Sequence, residues 1–290
     1  MPTLSIIIPV HNDQRGIDSL LSALSTQQSQ DNELEVIVVD NLSNPVITIQ
    51  PSFRSFARVI SCTIKGSYAA RNAGVAASSG EILAFTDADC LPSSRWIEAG
   101  VNALKQHQEE HIIGGEVKIA APSERTGTAL YQYITGFQQK KNIDEKGFSI
   151  TANIFCWRST FNRIGNFDET LLSGGDRQWC WRAQRLGVEV CYSQEAYVST
   201  PPRQHFASAL RQARRVTAGR MMLLQYHSEL CSQQELLPHR TSADSIRWIL
   251  SHPELHGAEK LNVLITAIAL KAATLIERIR LRLGASPEHR

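Results

Sequence analysis

The chain has 290 residues, 42% of them hydrophobic, which is long and apolar enough for a sizeable α/β core and excludes an intrinsically disordered protein. Thirty basic and 28 acidic side chains leave a formal net charge of +2, so the overall charge does not favour binding to nucleic acid. Six scattered cysteines form no CxxC pair, which argues against a zinc site and a disulfide framework and favours a reduced, cytoplasmic protein.

The first part of the chain alternates between strand and helix patterns. Residues 4–9 and 36–39 are short apolar runs typical of buried parallel strands, and apolar residues recur at helical spacing between them. A second cycle follows, with a helix that Ser67 caps and Gly80 ends, and then a buried strand at 82–86. Strands that alternate with helices predict a doubly wound α/β sheet flanked by helices.

The rest of the chain has a weaker pattern. It predicts a strand near 116–119 and a helix near 130–140, and it becomes rich in helix after Pro202. We therefore divide the chain into an α/β domain at 1–220 and a helical carboxyl-terminal extension at 221–290.

The last long segment, residues 261–283, is apolar on most of its circumference until Glu277 and ends in a cluster of arginines. Lys271 interrupts it, and no charge-free stretch of the chain reaches the ~20 residues of a membrane-spanning helix. Nor do we expect a signal peptide, because no basic residues precede the first apolar run. The segment either packs as an ordinary helix, which we favour, or lies on an anionic membrane as a peripheral contact at its inner face.

Polar residues follow each predicted strand of the first part. They are Pro9-Val10-His11-Asn12, Asp40-Asn41 and Asp87-Ala88-Asp89. In doubly wound sheets, ligands bind in the crevice beyond the carboxyl ends of the strands. We therefore expect these three segments to meet at one edge of the sheet and to form a ligand site there.

Asp87 and Asp89 are the strongest candidates for metal ligands. Residues two apart in an extended chain point to the same side, so both carboxylates can face one ligand. Hard oxygen donors of this kind suit Mg²⁺ or Mn²⁺, which would bridge the diphosphate of a nucleotide ligand. The alternative is a solvated loop after an edge strand, since an Asp-x-Asp pair is common by itself.

Several motifs in a fixed order resemble those of family 2 glycosyltransferases. They are Ser5-Ile6-Ile7-Ile8-Pro9-Val10-His11-Asn12, Glu35-Val36-Ile37-Val38-Val39-Asp40-Asn41, Ala70-Arg71-Asn72-Ala73-Gly74, Phe85-Thr86-Asp87-Ala88-Asp89, Ile164-Gly165 with Phe167-Asp168-Glu169, and Gly174-Gly175-Asp176. The resemblance covers about residues 4–205. It implies a GT-A fold, a Rossmann-like arrangement with a mixed, mainly parallel sheet, and makes 1–220 the catalytic domain.

The resemblance also implies an activity. Such an enzyme transfers a sugar from a nucleotide-diphosphate donor, with Mg²⁺ or Mn²⁺, to a hydroxyl of a saccharide or lipid-linked acceptor, here expected with inversion. By the same resemblance, Asp40 binds the base or ribose of the donor and the turn from Pro9 to Asn12 lines that pocket. The alternative for Asp40 is a turn residue that ends a strand. Arg71 and Asn72 either hold the ribose side, together with Asp87, or orient Asp87, or simply form helix-capping and surface contacts.

Asp176 is the candidate catalytic base, because an inverting transfer needs a carboxylate to take the proton from the acceptor hydroxyl. The resemblance places the catalytic carboxylate at this position. The family usually has Glu-Asp here, whereas this chain has Gly175-Asp176, which removes one carboxylate and keeps the expected base. The structural alternative for Asp176 is the N-cap of a helix at 177–186.

Four further residues are candidates for the acceptor or sugar site. Trp179 and Trp181 are two apart on the predicted helix and point in different directions, so we expect that they cannot both be core. Each ring either offers an aromatic platform to an acceptor sugar or packs against the sheet. Asp168 and Glu169 either bind sugar hydroxyls or fix their loop.

The third metal ligand is where the resemblance fails. Relatives often have His-Pro-x-Arg after the last strand, whereas this chain has Thr200-Pro201-Pro202-Arg203, with His205 two residues beyond. Either the metal is bound weakly or His205 substitutes as the third ligand. Basic residues that could hold a phosphate, or form a solvated helix face, follow at Arg203, Arg211, Arg214 and Arg215.

Two other functions compete with glycosyl transfer. A nucleotidyltransferase would use a similar sheet, but no glycine-rich loop with a lysine follows the first strand. A catalytically inactive module that binds a nucleotide sugar or glycan would explain the missing Glu and His, but not the retained Asp87, Asp89 and Asp176. A dehydrogenase is disfavoured, since no GxGxxG follows Ile8.

Overall fold

The computed structural model describes residues 3–27, 33–107, 111–230 and 242–286. These residues form two compact units. The first unit comprises 1–118, 138–170 and 175–200, and the second comprises 119–137, 171–174 and 201–290.

The first unit is built on a mixed sheet, with eight strands among the described residues. In chain order they are β1 (Leu4–Val10), β2 (Leu34–Asp40), β3 (Ala57–Ser61), β4 (Ile82–Thr86), β5 (Leu91–Pro92), β6 (His111–Ile119), β7 (Asn153–Trp157) and β8 (Glu189–Thr200). Their order across the sheet is β3-β2-β1-β4-β7-β6-β8-β5. The first four are mutually parallel, β7 is antiparallel to both β4 and β6, and β5 is antiparallel to β8. The parallel block brings the carboxyl ends of β1, β2 and β4 to one edge.

Helices connect these strands and make up most of the second unit. In chain order they are α1 (Gln14–Ser25), α2 (Ser67–Ala77), α3 (Trp96–Gln106), α4 (Gly127–Thr135), α5 (Gln139–Lys146), α6 (Arg158–Ile164), α7 (Gly175–Arg185), α8 (Phe206–Tyr226), α9 (Ser242–Ser251) and α10 (Ala258–Arg282). α8 runs through residue 220, so the predicted division there falls inside a helix. The assignment of catalysis to 1–220 stays a prediction.

The predicted strand-helix-strand crossover is present. Every residue of β1 is buried, as is the face of α1 that carries Ile17, Leu20, Leu21 and Leu24. A continuous apolar run fits a strand that is covered on both faces of the sheet, which is why the period-two alternation is missing.

The predicted ends of α2 are wrong. Gly66, with φ 134°, precedes the helix as its N-cap, so that Ser67 is the first helical residue. The helix ends at Ala77 rather than at Gly80. The backbone NH of Gly80 instead donates to the Ser5 hydroxyl at 2.8 Å and to Glu35 Oε1 at 3.0 Å, which draws Gly80 against the sheet.

The middle of the chain also differs from the prediction. The helix expected at 130–140 is two helices, α4 and α5. The break is made by Gly136 and Gln138, both with φ 55°, a left-handed backbone that no helix continues through. The strand expected at 116–119 is the end of the longer β6.

An aromatic cluster joins the parallel block to the elements that follow it. It consists of Phe85, Phe161, Phe167 and Trp179, with ring centroids 5.1 to 5.9 Å apart between contacting pairs. All four side chains are buried. Burial of rings of this size contributes ~2–3 kcal/mol each, so the cluster holds α6, α7 and Phe167 against β4.

The second unit has its own core, in which α10 packs against α4, α8 and α9. Its buried residues are Leu130, Ile134, Ile249, Leu255, Val263 and Ala267. The packing interpretation of the carboxyl-terminal helix is thereby confirmed for one of its faces. Among the described residues, no helix is both long enough and apolar enough to cross a membrane.

Candidate functional site

The loops after β1 and β2 are tied together by polar side chains. His11 Nδ1 lies 2.8 Å from Asn41 O, and His11 Nε2 lies 3.1 Å from the Asn12 side-chain nitrogen. The Asn12 backbone NH donates to the Ser43 hydroxyl at 2.8 Å. Segment 9–12, the predicted lining of the nucleotide pocket, is therefore the end of β1 followed by a fixed loop at the carboxyl edge of the sheet, and its contact with a nucleotide stays a prediction.

Asp40 is buried at the end of β2. Its Oδ1 accepts a hydrogen bond from the Ser43 backbone NH at 2.9 Å, and its Oδ2 accepts one from the Ile47 backbone NH at 3.0 Å. Burial raises the pKa of Asp40, but the hydrogen bonds from Ser43 and Ile47 together outweigh it and hold the pKa below its ordinary value. Asp40 thus orders the turn after β2, which agrees with the alternative that it is a turn residue at the end of a strand. Each carboxylate oxygen can accept a second hydrogen bond, so the nucleotide role stays a prediction.

Asp87 and Asp89 follow β4 in a turn closed by a 3.0 Å hydrogen bond from the Cys90 backbone NH to Asp87 O. The extended backbone expected for these residues is therefore wrong. Solvent nevertheless reaches both carboxylates, because the Asp87 side chain is 40% exposed and Asp89 is exposed, whereas Ala88 between them is buried. Burial raises the pKa of the Cys90 thiol well above its ordinary value, and the charges of Asp87 and Asp89 raise it further, so both carboxylates lie near this thiol. The turn therefore leaves both carboxylates accessible to solvent at the end of β4.

Arg71 forms an ion pair with Asp87. The guanidinium Nη2 of Arg71 lies 2.5 Å from Asp87 Oδ1, and the Arg71 side chain is only 3% exposed. This contact favours the alternative in which Arg71 orients Asp87, and contact of Arg71 with a nucleotide stays a prediction. A buried guanidinium is held at this edge because a carboxylate is there to compensate its charge.

Tyr68, which the sequence did not single out, connects this pair to Asp176. Its hydroxyl donates to Asp176 Oδ1 at 3.4 Å, and the Arg71 guanidinium carbon lies 5.6 Å from the centre of its ring. Tyr68 and Arg71 are three apart on α2 and so share one face of the helix. That spacing is the one signal in the sequence that could have pointed to Tyr68. One side of α2 therefore reaches both Asp87 and Asp176.

Asp176 lies in the first turn of α7, which begins one residue earlier at Gly175, so Asp176 is not the N-cap of this helix. Its Oδ1 also accepts a hydrogen bond from the Arg177 backbone NH at 2.8 Å, and the side chain is partly exposed. A Cβ at Gly175 would lie 2.7 Å from the Tyr68 ring. The glycine that stands where the family usually has Glu is thus what allows Tyr68 to approach Asp176.

Asn72 and the neighbouring acidic residues serve to fix a loop. The Asn72 amide nitrogen donates to Phe167 O at 2.9 Å and to Glu169 Oε1 at 2.8 Å, and its oxygen accepts from the Phe167 backbone NH at 3.0 Å. Asp168 accepts from the backbone NH and the hydroxyl of Thr170, at 2.9 and 2.6 Å. Asn72 is buried and its amide donates to two groups of the protein, so this geometry favours a loop-fixing role, and its contact with a donor stays a prediction. For Asp168 and Glu169 the loop-fixing alternative is favoured.

Both tryptophans are core residues. Trp179 and Trp181 are 0% and 4% exposed, and the expectation that they cannot both be buried is wrong. Trp179 belongs to the aromatic cluster and donates its indole NH to Gly165 O at 2.8 Å, while Trp181 donates to Lys146 O at 2.8 Å. α7 is covered on more than one side, so two residues that point in different directions both find partners. Neither ring presents a face to a sugar.

The remaining predicted residues lie in the second unit. His205 is exposed and precedes α8 as its N-cap residue, and the Arg203 backbone NH donates to Gln132 Oε1 at 2.7 Å. Arg211, Arg214 and Arg215 lie on α8. Their proposed roles, a third metal ligand for His205 and phosphate binding for the arginines, stay predictions.

Known proteins resemble this chain in sequence and in fold. The glycosyl transferase family 2 matches residues 5–165, which is more than half of the chain. The glycosyltransferase AglE of Haloferax volcanii is 32% identical over 228 residues, 77% of this chain and 74% of AglE. The pre-mycofactocin glycosyltransferase of Mycobacterium tuberculosis is 28% identical over 214 residues, 68% of this chain but only 42% of that protein.

A solved structure shows the likeness of the fold. The mannosyltransferase PcManGT from Pyrobaculum calidifontis, in complex with GDP-Man and Mn²⁺, superposes with a TM-score of 0.60 at 17% identity and covers 96% of this chain and 86% of that one. This confirms the GT-A fold expected from the sequence, a mixed α/β sheet with flanking helices. The family match and the curated relatives agree that the chain belongs to glycosyl transferase family 2 and is a glycosyltransferase.

Proposed function

We propose that this glycosyltransferase moves a sugar from a nucleotide-diphosphate donor to an acceptor hydroxyl with inversion, using a divalent cation at Asp87 and Asp89 and Asp176 as the base. The observation that carries the proposal is the connected series Asp87, Arg71, Tyr68, Asp176, with contacts of 2.5 Å at one end and 3.4 Å at the other. The buried side chains of Arg71 and Tyr68 thereby support two partly exposed carboxylates, those of Asp87 and Asp176. A transfer reaction needs this pairing, with one group at the leaving diphosphate and another at the attacking oxygen.

The donor end fits a divalent cation. Asp87 and Asp89 offer hard oxygens that solvent can reach, and Arg71 occupies only one oxygen of Asp87. When bound, Mg²⁺ or Mn²⁺ would neutralise the charge that builds up on the leaving diphosphate. The GDP-Man and Mn²⁺ found in PcManGT support this assignment by analogy of fold. Arg71 fixes Asp87 in place, so that little reorganisation is needed when the donor binds.

The acceptor end is formed by Asp176. Its carboxylate would take the proton from the acceptor hydroxyl while that oxygen attacks the anomeric carbon from the face opposite the diphosphate. The Tyr68 hydroxyl and the Arg177 backbone NH both donate to Oδ1 and so fix the direction in which the carboxylate points. Tyr68 is thus a positioning residue for the base.

This proposal is tested with a panel of UDP-, GDP- and dTDP-sugars in the presence of Mn²⁺ or Mg²⁺. We expect one class of donor to raise the melting temperature and to release nucleoside diphosphate slowly by hydrolysis of the donor. With an acceptor present, NMR of the product should show the anomeric configuration opposite to that of the donor. Release of nucleoside monophosphate would instead indicate a nucleotidyltransferase, and no stabilisation by any donor would indicate an inactive binding module.

We also propose that α10 contacts an anionic membrane, which would suit a lipid-linked acceptor. One face of α10 is packed in the second unit, but another carries large apolar side chains that are 50 to 82% exposed. They are Leu261, Ile265, Ile268, Leu275, Ile276, Ile279 and Leu283, which recur mostly at spacings of three and four. Lys260, Lys271, Arg278 and Arg282 align on one flank of this stripe. An apolar stripe with a basic flank fits lipid tails beside anionic headgroups.

The membrane contact predicts binding to vesicles that depends on both apolar and basic side chains. The full-length chain should sediment with vesicles of phosphatidylcholine and phosphatidylglycerol, and less with phosphatidylcholine alone. Each basic side chain near an anionic surface contributes ~1 kcal/mol, so a variant with Lys271→Gln, Arg278→Gln and Arg282→Gln should bind roughly 100-fold more weakly. Ile265→Ser with Leu275→Ser should also weaken binding.

The matched control for the apolar changes is Val46→Ser, which alters a side chain that is 68% exposed in the first unit. It should leave vesicle binding unchanged. Equal sedimentation of the α10 variants and the parent chain would contradict the membrane contact. Dimerisation that is lost in the Ile265 and Leu275 variants would assign the stripe to a second copy of the chain instead.

A further inference from the structure

Three side chains with metal-binding atoms meet away from the carboxylates of the site. They are His107, which follows α3, His111, which begins β6, and Cys191 on β8. One ligand atom from each lies within 4.8 Å of the other two, and the imidazole ring centroids are 4.9 Å apart. Cys191 and His111 are partly buried, while His107 is exposed.

This group lies at the opposite edge of the sheet from Asp87. Ile112, the neighbour of His111, is opposite Cys156 of β7, and Cys156 is opposite Leu83 near the start of β4. Asp87 follows the far end of β4, four residues beyond Leu83, which corresponds to roughly 13 Å of extended strand. The group is therefore separate from the proposed donor site, and nothing in the proposed transfer reaction uses it.

We propose that His107, His111 and Cys191 bind a zinc ion. Two imidazole nitrogens and one thiolate form a ligand set typical of Zn²⁺, which accepts nitrogen and sulfur ligands in tetrahedral geometry. Bonds of ~2.0–2.3 Å to a tetrahedral ion place the ligand atoms roughly 3.5 Å apart, so the three atoms need to close by about an ångström. Residues from three separate elements already hold them near that arrangement.

Glu189 supplies a fourth group. Its Oε2 lies 3.7 Å from His111 Nε2, and its side chain is 79% exposed, so the carboxylate is free to turn toward an ion beside His111. A zinc ion here would cross-link the end of α3, the start of β6 and β8. Zinc binding would stabilise the folded chain, because the unfolded chain does not hold these ligands together.

The scattered cysteines argued against a zinc site when only CxxC pairs were considered. That argument does not apply to a site that combines cysteine with histidine. Cys191 contributes one ligand here, and His107 and His111, four residues apart, contribute the other two. Their convergence depends on β6 and β8 being neighbours in the sheet, which the spacing of the residues does not show.

The test uses the full-length chain, first stripped of metal with a chelator, then incubated with Zn²⁺ and desalted. We expect one zinc ion per chain by mass spectrometry of the eluted protein, with a higher melting temperature. Asp89→Asn should retain the ion, whereas Cys191→Ser and His111→Asn should lose it. Circular dichroism and melting of each variant without metal should match the metal-free parent, which separates loss of zinc from loss of folding.

A cobalt substitution identifies the sulfur ligand directly. Co²⁺ bound to a thiolate gives a near-ultraviolet charge-transfer absorption, which we expect in the parent chain and in the controls Cys62→Ser and His256→Asn. Cys191→Ser should lose it. Retention of zinc and of this absorption in Cys191→Ser, or no retained zinc in the parent chain, would overturn the proposal. Either result leaves the glycosyl transfer proposal untouched, because Asp87, Asp89 and Asp176 are measured separately.

Discussion

Asp176→Asn is expected to abolish sugar transfer while leaving donor binding close to that of the parent chain. The amide has almost the same size and can still accept hydrogen bonds from Tyr68 and the Arg177 backbone NH, which now reach Asp176 Oδ1. It cannot take up a proton, and loss of a general base costs about 10² to 10⁴-fold in rate. The measurement is kcat with an acceptor, beside calorimetric titration with the donor.

Two variants show whether this loss comes from the base itself. Asp144→Asn changes an exposed carboxylate of the first unit that pairs with Lys140, and it should leave kcat unchanged. Tyr68→Phe keeps the ring against Gly175 and removes only the hydroxyl, so it should lower kcat by less than Asp176→Asn, with little change in KM. If Asp176→Asn instead loses donor binding and melts at a lower temperature, Asp176 has a structural role and is not the base.

Asp89→Ala is expected to lower both sugar transfer and slow donor hydrolysis by at least about 100-fold. A bound divalent cation supplies several kcal/mol of charge stabilisation at a leaving diphosphate, and 2.7 kcal/mol already corresponds to that factor. Asp89 is exposed, and Asp89→Ala leaves in place the backbone hydrogen bond from Cys90 to Asp87 O that closes the turn, so the variant should still fold. The measurement is nucleoside diphosphate release across a Mn²⁺ titration.

The donor-induced rise in melting temperature gives an independent readout of the same change. In the parent chain this rise should depend on Mn²⁺ or Mg²⁺, whereas in Asp89→Ala it should become insensitive to the cation. Asp144→Ala again serves as the control. Parental rates of donor hydrolysis in Asp89→Ala at moderate Mn²⁺ would show that the cation is held elsewhere or is not used.

The parallel block could be predicted because its signals are local. β1 and β2 are continuous apolar runs followed at once by polar residues, and a strand buried on both faces imposes that pattern on the sequence itself. The positions of Asp87 and Asp89 at the carboxyl edge follow from the same pattern. Helix ends could not be placed to the residue, because the positive φ angles of Gly66 and Gly136 are set by the tertiary structure and the sequence does not show which of its glycines adopt them.

The support beneath the site could not be predicted, because it joins residues far apart in the chain. Tyr68 and Asp176 are 108 positions apart, and Asn72 and Glu169 are 97 apart. No periodicity shows that α2 packs beside the start of α7. The burial of both tryptophans was missed for a related reason, since it depends on how many neighbours cover α7 and not on the direction of one face.

The contact between Gly175 and Tyr68 has a consequence for how this site can change. A side chain at residue 175 would meet the tyrosine ring at 2.7 Å, so Gly175→Glu alone, the substitution toward the more common acidic pair, forces the ring away from Asp176. A smaller residue at 68 has to be acquired first. The two positions are therefore epistatic, and only one order of substitution avoids passing through an intermediate with a displaced ring.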